Sequence, residues 1–170
     1  MKLYVMRHAS AEDSAPGGED HDRPLTQAGR DHTRKAALGM LAMGLRFDAI
    51  LTSPKVRALE TASLVSAAYD QEPAPLTLHA LMDDIPVESA ASALETYFVY
   101  ESVLIVGHEP QLSGLVSLLL TGGAGLLTIA LKRGGCVAID LPGRRDRAGA
   151  ALRWMMTQRQ LRSMRKRASK

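Results

Sequence analysis

The chain opens on Met1-Lys2-Leu3-Tyr4-Val5-Met6-Arg7-His8, an apolar run that ends in two basic residues. Lys2–Met6 has the length and composition of a buried strand. A polar loop that contains Gly and Pro follows, from about residue 9 to residue 24. The pattern therefore predicts a strand that carries Arg7 and His8 to one edge of a sheet.

Two later apolar runs end in the same kind of residue. Asp48–Thr52 leads through Ser53-Pro54 to Arg57, and Ser102–Val106 is followed after one glycine by His108. Ligands of parallel α/β sheets bind outside the carboxyl ends of the strands. If these three strands are parallel neighbours, two arginines and two histidines converge on one pocket.

The rest of the chain alternates between helical and strand patterns. Thr26 is a candidate N-cap, and Ser53 followed by Pro54 is a second one. Helices are predicted over residues 26–45, 53–69, 86–97 and 110–120, and further strands over 76–78, 126–131, 136–140 and 150–155. This alternation indicates a layered α/β fold with a mainly parallel sheet.

Length and charge suggest how the chain is organised. With 170 residues, we expect a single catalytic domain over 1–156 and a basic C-terminal tail over 157–170, read as a frayed helix or disordered. Residues 1–143 carry 11 Lys/Arg against 17 Asp/Glu, whereas residues 144–170 carry 10 against 1. No apolar run reaches membrane-spanning length or resembles a signal sequence, so we expect a cytoplasmic protein without a membrane partner.

The residue types of the predicted pocket suit a phosphate group. Guanidinium groups offer forked donors that match phosphate oxygens, and an imidazole can attack phosphorus when its other nitrogen is held by a hydrogen bond. Positive side chains supply the neutralisation, so no metal or cofactor is expected. A zinc site built on His8 and His108 would need a third ligand, and the single cysteine, Cys136, lies in an apolar run.

Four motifs resemble a known family. They are Arg7-His8-Ala9, Arg23-Pro24-Leu25-Thr26-Gln27-Ala28-Gly29, Ser53-Pro54-Lys55-Val56-Arg57-Ala58-Leu59-Glu60-Thr61-Ala62 and Gly107-His108-Glu109-Pro110. Their order and spacing are similar to those of the histidine phosphatase superfamily, which has the phosphoglycerate-mutase-like fold. The short length and the Arg-Pro-Leu-Thr segment resemble the phosphohistidine phosphatases of the SixA type.

This resemblance implies a fold and a set of roles. The fold would be a three-layer α/β/α sandwich with a mainly parallel central sheet. His8 would be the nucleophile that forms a phosphohistidine intermediate, and Arg7, Arg57 and His108 would hold the phosphate. Arg23 would be an additional substrate contact, although pairing with Asp20 or Asp22 is an equal alternative.

Two departures from the family pattern bear on the chemistry. Ala9 stands where the superfamily usually has glycine, and we expect the extra methyl group to be tolerated. The general acid of larger relatives has no obvious counterpart, and the candidates are Asp83, Asp84 and Glu109. A weak or absent acid suits a phosphoramidate substrate, because imidazole leaves phosphorus more easily than an alkoxide does.

Several functions stay open at this point. The favoured one is a metal-independent phosphatase that acts on phosphohistidine in a protein, with a histidine-phosphotransfer domain as one candidate partner. The alternatives are a phosphomonoesterase for a sugar phosphate or nucleotide, and a non-catalytic phosphate-binding module. Nucleic acid is not favoured as a partner because the basic tail lacks interleaved aromatic residues, and a monomer is the default expectation.

Overall fold

The computed structural model describes residues 1–15, 17–70, 72–142 and 149–165. Within these ranges the chain forms one mixed sheet and five α-helices. The strands are β1 (Lys2–Arg7), β2 (Ala49–Thr52), β3 (Pro75–Thr77), β4 (Ser102–Gly107), β5 (Cys136–Asp140) and β6 (Ala151–Met156). The helices are α1 (Gln27–Ala42), α2 (Val56–Ser66), α3 (Val87–Leu94), α4 (Gln111–Thr121) and α5 (Gln158–Met164).

The strand order of the sheet is β3-β2-β4-β1-β5-β6. The first four strands in that order are parallel, and β5 and β6 each pair antiparallel with the strand before them. Val106 is level with Met6 of β1 on one side and with Thr52 of β2 on the other. The carboxyl ends of β1, β2 and β4 therefore meet at one edge, as the sequence predicts.

Alternate residues of the strands face two separate helical layers. On β1, Leu3 and Val5 pack with α3 and α4, whereas Tyr4 and Met6 pack with α1, α2 and α5. A strand whose successive side chains are all buried must be covered on both faces. The expected three-layer α/β/α sandwich with a mainly parallel central sheet is thereby confirmed.

The predicted helix and strand boundaries are confirmed where neighbouring residues determine them. They are wrong where a side chain bonds to a residue far away in the sequence. Thr26 caps α1 as predicted, because its side-chain oxygen accepts the backbone N–H of Gly29. Helix α2 starts at Val56, later than predicted: its N-cap is Lys55, and the Ser53 hydroxyl accepts the N–H of Lys55 at 3.4 Å and also bonds to His108. The strand predicted over residues 126–131 is wrong, because the N–H of Leu127 bonds to the Ser117 side chain and joins no ladder.

The basic C-terminal segment contains an ordered helix. Thr157 and Gln160 form a reciprocal capping box at the start of α5, and Leu161 is fully buried against α1. A Cβ at Gly39 of α1 would collide with the Leu161 carbonyl, so glycine is what allows the two helices to approach. The expected frayed helix or disorder is thus not found over 158–164, while residues 166–170 lie outside the described ranges. Within those ranges, no helix has the length and apolarity needed to cross a membrane.

Candidate active site

The ends of β1 and β4 place His8 and His108 side by side. The N–H of His8 donates to the Gly107 carbonyl at 3.0 Å, which extends the pairing of the two strands by one residue. The two imidazole rings have centroids 5.0 Å apart and an interplanar angle of 50°. His8 is 6% exposed and His108 is 1% exposed, so both rings are largely removed from water.

A hydrogen bond fixes the tautomer of His8. Nδ1 lies 2.7 Å from the Ala9 carbonyl oxygen, which can only accept, so Nδ1 carries the hydrogen. Nε2 is then the nitrogen with the free lone pair. Burial, together with the charges of Arg57 and Arg7, lowers the pKa of His8 to about 4, although the bond to Ala9 opposes the shift. The ring is therefore neutral and nucleophilic at neutral pH.

His108 is oriented by a hydroxyl group from a neighbouring strand end. Its Nε2 lies 2.8 Å from Oγ of Ser53, while its buried Nδ1 has no hydrogen-bond partner among the described residues. Burial, followed by repulsion from His8 and Arg57, lowers the pKa of His108 to about 3. When Ser53 donates to Nε2, the hydrogen of neutral His108 is on Nδ1, and that buried N–H has no partner among the described residues.

Two guanidinium groups flank the imidazoles from different elements. Arg7 donates from Nη1 to the Leu131 carbonyl at 3.1 Å, and its buried Nε has no partner among the described residues. Burial lowers the pKa of Arg7, a shift that Glu109 opposes and Arg133 reinforces. Arg57, in the first turn of α2, is 5% exposed. Each guanidinium thus presents buried N–H donors beside His8, as an anion requires.

The structure adds Asp20 and Lys55 to the site, and the sequence analysis assigned a role there to neither. Oδ2 of Asp20 lies 3.0 Å from Nη2 of Arg57 and 3.0 Å from Nζ of Lys55, and the Asp20 carbonyl accepts from Nη1 of Arg57 at 2.7 Å. The hydrogen bond from Lys55, helped by Arg57, holds the pKa of Asp20 well below its usual range. One carboxylate oxygen and the carbonyl oxygen of Asp20 thus occupy the fork of Arg57, in the way that two phosphate oxygens would.

Asp83 completes this ionic cluster from the other side. Its carboxylate lies 2.8 Å from Nζ of Lys55, and the Gln111 amide holds the surrounding loop through the carbonyls of Ala80 and Ile85. Partial burial favours the neutral acid, but the hydrogen bond from Lys55 outweighs it and lowers the pKa of Asp83. Asp83 is therefore ionised at neutral pH and is not poised to give up a proton.

The other predicted site residues lie around this cluster. Arg23 donates from Nη1 to Asp20 at 2.8 Å and from Nε to the Glu12 carbonyl at 2.7 Å, so its link to the pocket runs through Asp20. Glu109 accepts the backbone N–H of Ser113 at the start of α4 and lies close enough to Arg7 to influence its pKa. Asp84, next to Asp83 in the chain, is exposed.

Residues of the first three sequence motifs hold the loop after His8 in place. The Thr61 hydroxyl accepts the N–H of Ala9 at 3.1 Å, and the Glu60 carboxylate accepts the N–H of Leu25 at 3.2 Å. Ala9 does not adopt a positive φ, and its methyl group packs in a small buried cluster with Ala11 and Leu25. An alanine after the histidine therefore fits without backbone strain, as expected.

A simple signal could have revealed Lys55, but not Asp20. Lys55 stands two residues before Arg57 within the third motif, so both cations leave the same strand end. Asp20 lies in a polar loop whose only pattern is its composition, and its partner Lys55 is 35 residues away. The contact depends on how that loop folds over α2.

This arrangement defines a class of protein. An α/β/α sandwich places a neutral imidazole with a free Nε2, a second imidazole and a group of cations at one sheet edge, and such groups can bind a phosphate and attack phosphorus. The family model of the histidine phosphatase superfamily (branch 1) matches residues 3–91. The chain belongs to this superfamily, and this membership supports phosphatase activity.

Comparisons with individual proteins agree with this membership. An uncharacterized protein of Picosynechococcus sp. strain PCC 7002 is 33% identical over 153 residues, which cover 89% of this chain and 87% of the relative. Phosphohistidine phosphatase SixA of Escherichia coli K12 is 30% identical over 124 residues, or 72% of this chain and 76% of that protein. The solved structure of protein histidine phosphatase SixA with tungstate has a TM-score of 0.84 and 24% identity, and the match covers 95% of this chain and 99% of that one.

Proposed function

We propose that this chain is a phosphohistidine phosphatase that works through a covalent intermediate on His8. The observation that carries the proposal is the hydrogen bond from Nδ1 of His8 to Ala9, which leaves Nε2 as the free and neutral nucleophile beside Arg7, Arg57 and His108. The similarity to phosphohistidine phosphatase SixA supports the choice of substrate.

In the first step, Nε2 of His8 attacks phosphorus and the P–N bond to the substrate imidazole breaks. The substrate ring is protonated from solvent on its other nitrogen before the step, so it takes the electrons of the P–N bond and leaves as neutral imidazole. Arg57, released from Asp20, binds two of the phosphoryl oxygens, and Arg7 and His108 bind the others. Once Arg57 has exchanged Asp20 for the phosphoryl group, these largely buried donors stabilise the charge that the transferring group carries.

In the second step, water attacks phosphorus and the bond to Nε2 of His8 breaks. Inorganic phosphate is released, and the neutral imidazole is regenerated. The hydrogen bond from Nδ1 to the Ala9 carbonyl supports both steps, since it stabilises positive charge on the ring while Nε2 is bonded to phosphorus.

The carboxylates near the site distinguish this proposal from an ester phosphatase. We expect Asp83→Asn and Glu109→Gln to change kcat/KM on a phosphohistidine-bearing protein domain by less than about threefold, because an imidazole leaving group needs no strong acid. The same variants are measured on a panel of sugar phosphates and nucleotides. A loss of about a hundredfold or more in either variant, with esters as the better substrates, would replace the proposal with a small-molecule phosphomonoesterase.

The remaining alternative is a phosphate-binding module without catalysis. Wild-type protein is incubated with p-nitrophenyl phosphate and with phosphoramidate, with and without a chelator. Turnover that survives the chelator agrees with the proposed mechanism. If the protein binds phosphate but turns over no phosphorylated compound, it is a phosphate-binding module without catalysis.

The pKa of His8 predicts how activity depends on pH. Protonation of Nε2 removes its lone pair, and with a pKa of about 4 the ring stays neutral at pH 5.5, where an ordinary histidine would be about 90% protonated. Once corrected for ionisation of the substrate, kcat/KM should therefore hold down to about pH 5 and fall below it. A fall centred near pH 6.5 would contradict the lowered pKa.

The Asp20 contact predicts how strongly the site binds free phosphate. Asp20 and a phosphate oxygen compete for Arg57 and Lys55, so Asp20→Asn should lower the inhibition constant of inorganic phosphate by about three- to tenfold. The matched control is Asp22→Asn, which removes an exposed carboxylate that pairs with His21. A higher inhibition constant in Asp20→Asn would mean that Asp20 orients Arg57 for phosphate and does not compete with it.

A further inference from the structure

A basic cleft lies between α1 and α5. It has a volume of about 310 Å³ and is lined by Lys35, Arg159, Arg162, Ser163 and Arg165. Four of its five lining residues are cations, and none of the four forms an ion pair with a carboxylate of the described residues. Asp31 of α1 is already paired with Arg34. The cleft therefore concentrates positive charge that no described carboxylate neutralises.

The cations of the cleft are held on a rigid support. Helix α5 is fixed by its capping box, by the fully buried Leu161, and by the close approach at Gly39. Its arginines follow at intervals of three residues, so they share one side of the helix and step by about 4.5 Å along its axis. Charges presented in this way lose little freedom when they bind a partner.

The cleft is connected to the candidate active site by a basic loop. Gly134 packs against the Gln158 side chain at the start of α5, and its N–H donates to the carbonyls of both Arg7 and His8. The preceding residues, Lys132 and Arg133, are exposed, and the charge of Arg133 helps to lower the pKa of His8. A molecule large enough to reach His8 and extend across this loop would meet the arginines of α5.

We infer that this basic cleft is a docking surface for an acidic face of the protein that carries the phosphohistidine. The inference rests on the proposed function, since it names the partner that the same site would serve. Carboxylates three or four residues apart on an acidic helix step by about 4.5 to 6 Å, which matches the spacing of Arg159, Arg162 and Arg165. The cleft lining contains no aromatic side chain on which a base could stack, so nucleic acid fits it less well.

The test separates docking from chemistry. The variant Arg159→Gln/Arg162→Gln/Arg165→Gln should raise KM on a phosphorylated histidine-phosphotransfer domain by about tenfold or more, while kcat/KM on phosphoramidate stays within about twofold of wild type. The difference in KM between the variant and the wild type should shrink as salt is raised from 50 to 500 mM, because salt screens contacts between exposed charges. The matched control, Lys2→Gln/Arg46→Gln/Arg153→Gln, removes the same charge elsewhere and should behave like wild type.

A second variant guards against damage to α5, because Arg162 is half-buried. Arg159→Glu/Arg165→Glu reverses only the two exposed arginines and should show the same selective rise in KM. Equal KM values for wild type and both variants on the protein substrate, or an equal rise in the control, would overturn the docking surface.

Binding is also measured without any phosphoryl transfer. Fluorescein-labelled deca-glutamate should bind wild type more tightly than either arginine variant. Failure of wild type to hydrolyse any phosphohistidine would defeat the proposed function, and this binding difference would still support an acidic partner for the cleft. Tighter binding of a single-stranded oligonucleotide or of phosphatidylserine vesicles than of the peptide, lost in the variants, would overturn the inference.

Discussion

Replacing His8 with asparagine is expected to reduce kcat by at least about ten-thousandfold on every substrate that the wild type hydrolyses. Asparagine can occupy a similar volume and donate to the Ala9 carbonyl, but it offers no lone pair that can attack phosphorus. The loss should be the same for phosphohistidine and for p-nitrophenyl phosphate, because both reactions pass through Nε2 of His8. Initial rates measured at saturating substrate give the comparison directly.

Two controls keep this result interpretable. His79→Asn changes an exposed histidine away from the paired imidazoles and should leave the rate within about twofold of wild type. Thermal unfolding of the His8 variant should remain cooperative, with a midpoint close to that of the wild type. A folded His8→Asn variant that turns over substrate at the wild-type rate would contradict the proposed mechanism.

Replacing Arg57 with lysine is expected to lower kcat/KM by about a hundredfold, and replacing it with alanine by about a thousandfold. Lysine keeps the positive charge but loses the planar fork that Arg57 offers to two oxygens at once. In the structure this fork engages the carbonyl and the carboxylate of Asp20, at 2.7 and 3.0 Å, which shows that two oxygens can be held together. The ratio of kcat/KM between the lysine and alanine variants measures the contribution of the positive charge alone.

The matched control for Arg57 is Arg34→Lys. Arg34 is an exposed arginine that pairs with Asp31 of its own helix, so the same substitution there should leave kcat/KM unchanged within about twofold. Loss of Arg57 also frees Asp20, and the unfolding midpoint of each variant is therefore measured alongside its rate. An Arg57→Lys variant as active as wild type would mean that Arg57 serves only as a diffuse positive charge.

The sheet edge was predictable because strand patterns and the rule for parallel sheets depend on short segments. The apolar runs before His8, Ser53 and His108 identified three strands, and their carboxyl ends meet at one edge because the three are parallel neighbours. The sequence therefore predicts that the two histidines and Arg57 converge, given that the three strands are neighbours. The roles of these residues remain part of the proposal.

The electrostatic state of the site was not predictable in this way. The hydrogen bond from His8 to Ala9 depends on a side-chain rotation, and the lowered pKa values of His8 and His108 depend on how completely neighbouring layers bury them. The cluster of Asp20 with Lys55 depends on an irregular loop without sequence periodicity. Such contacts arise from the packing of distant segments, which a single sequence does not encode in a readable pattern.

The same distinction explains the wrong predictions. Ser53 has the local signature of a helix cap, but the N-cap is Lys55, and a buried imidazole 55 positions away also bonds to the Ser53 hydroxyl. The run over residues 126–131 is apolar enough for a strand, yet Leu126 is 75% exposed and the segment continues no ladder. The basic C-terminal segment was expected to be a frayed helix or disordered, but the buried Leu161, the capping box and the close approach at Gly39 attach α5 to α1.

Trapping the covalent intermediate tests directly whether His8 carries the phosphoryl group during turnover. Wild-type protein is mixed with phosphoramidate, quenched in alkali to preserve phosphohistidine, digested, and examined by peptide fragmentation and by NMR of the modified ring. The proposed mechanism predicts one phosphoryl group on Nε2 of His8, formed and lost at rates that match turnover, and none in His8→Asn. A phosphoryl group on another residue or on Nδ1 of His8, or turnover with no phosphorylated protein at all, would contradict it.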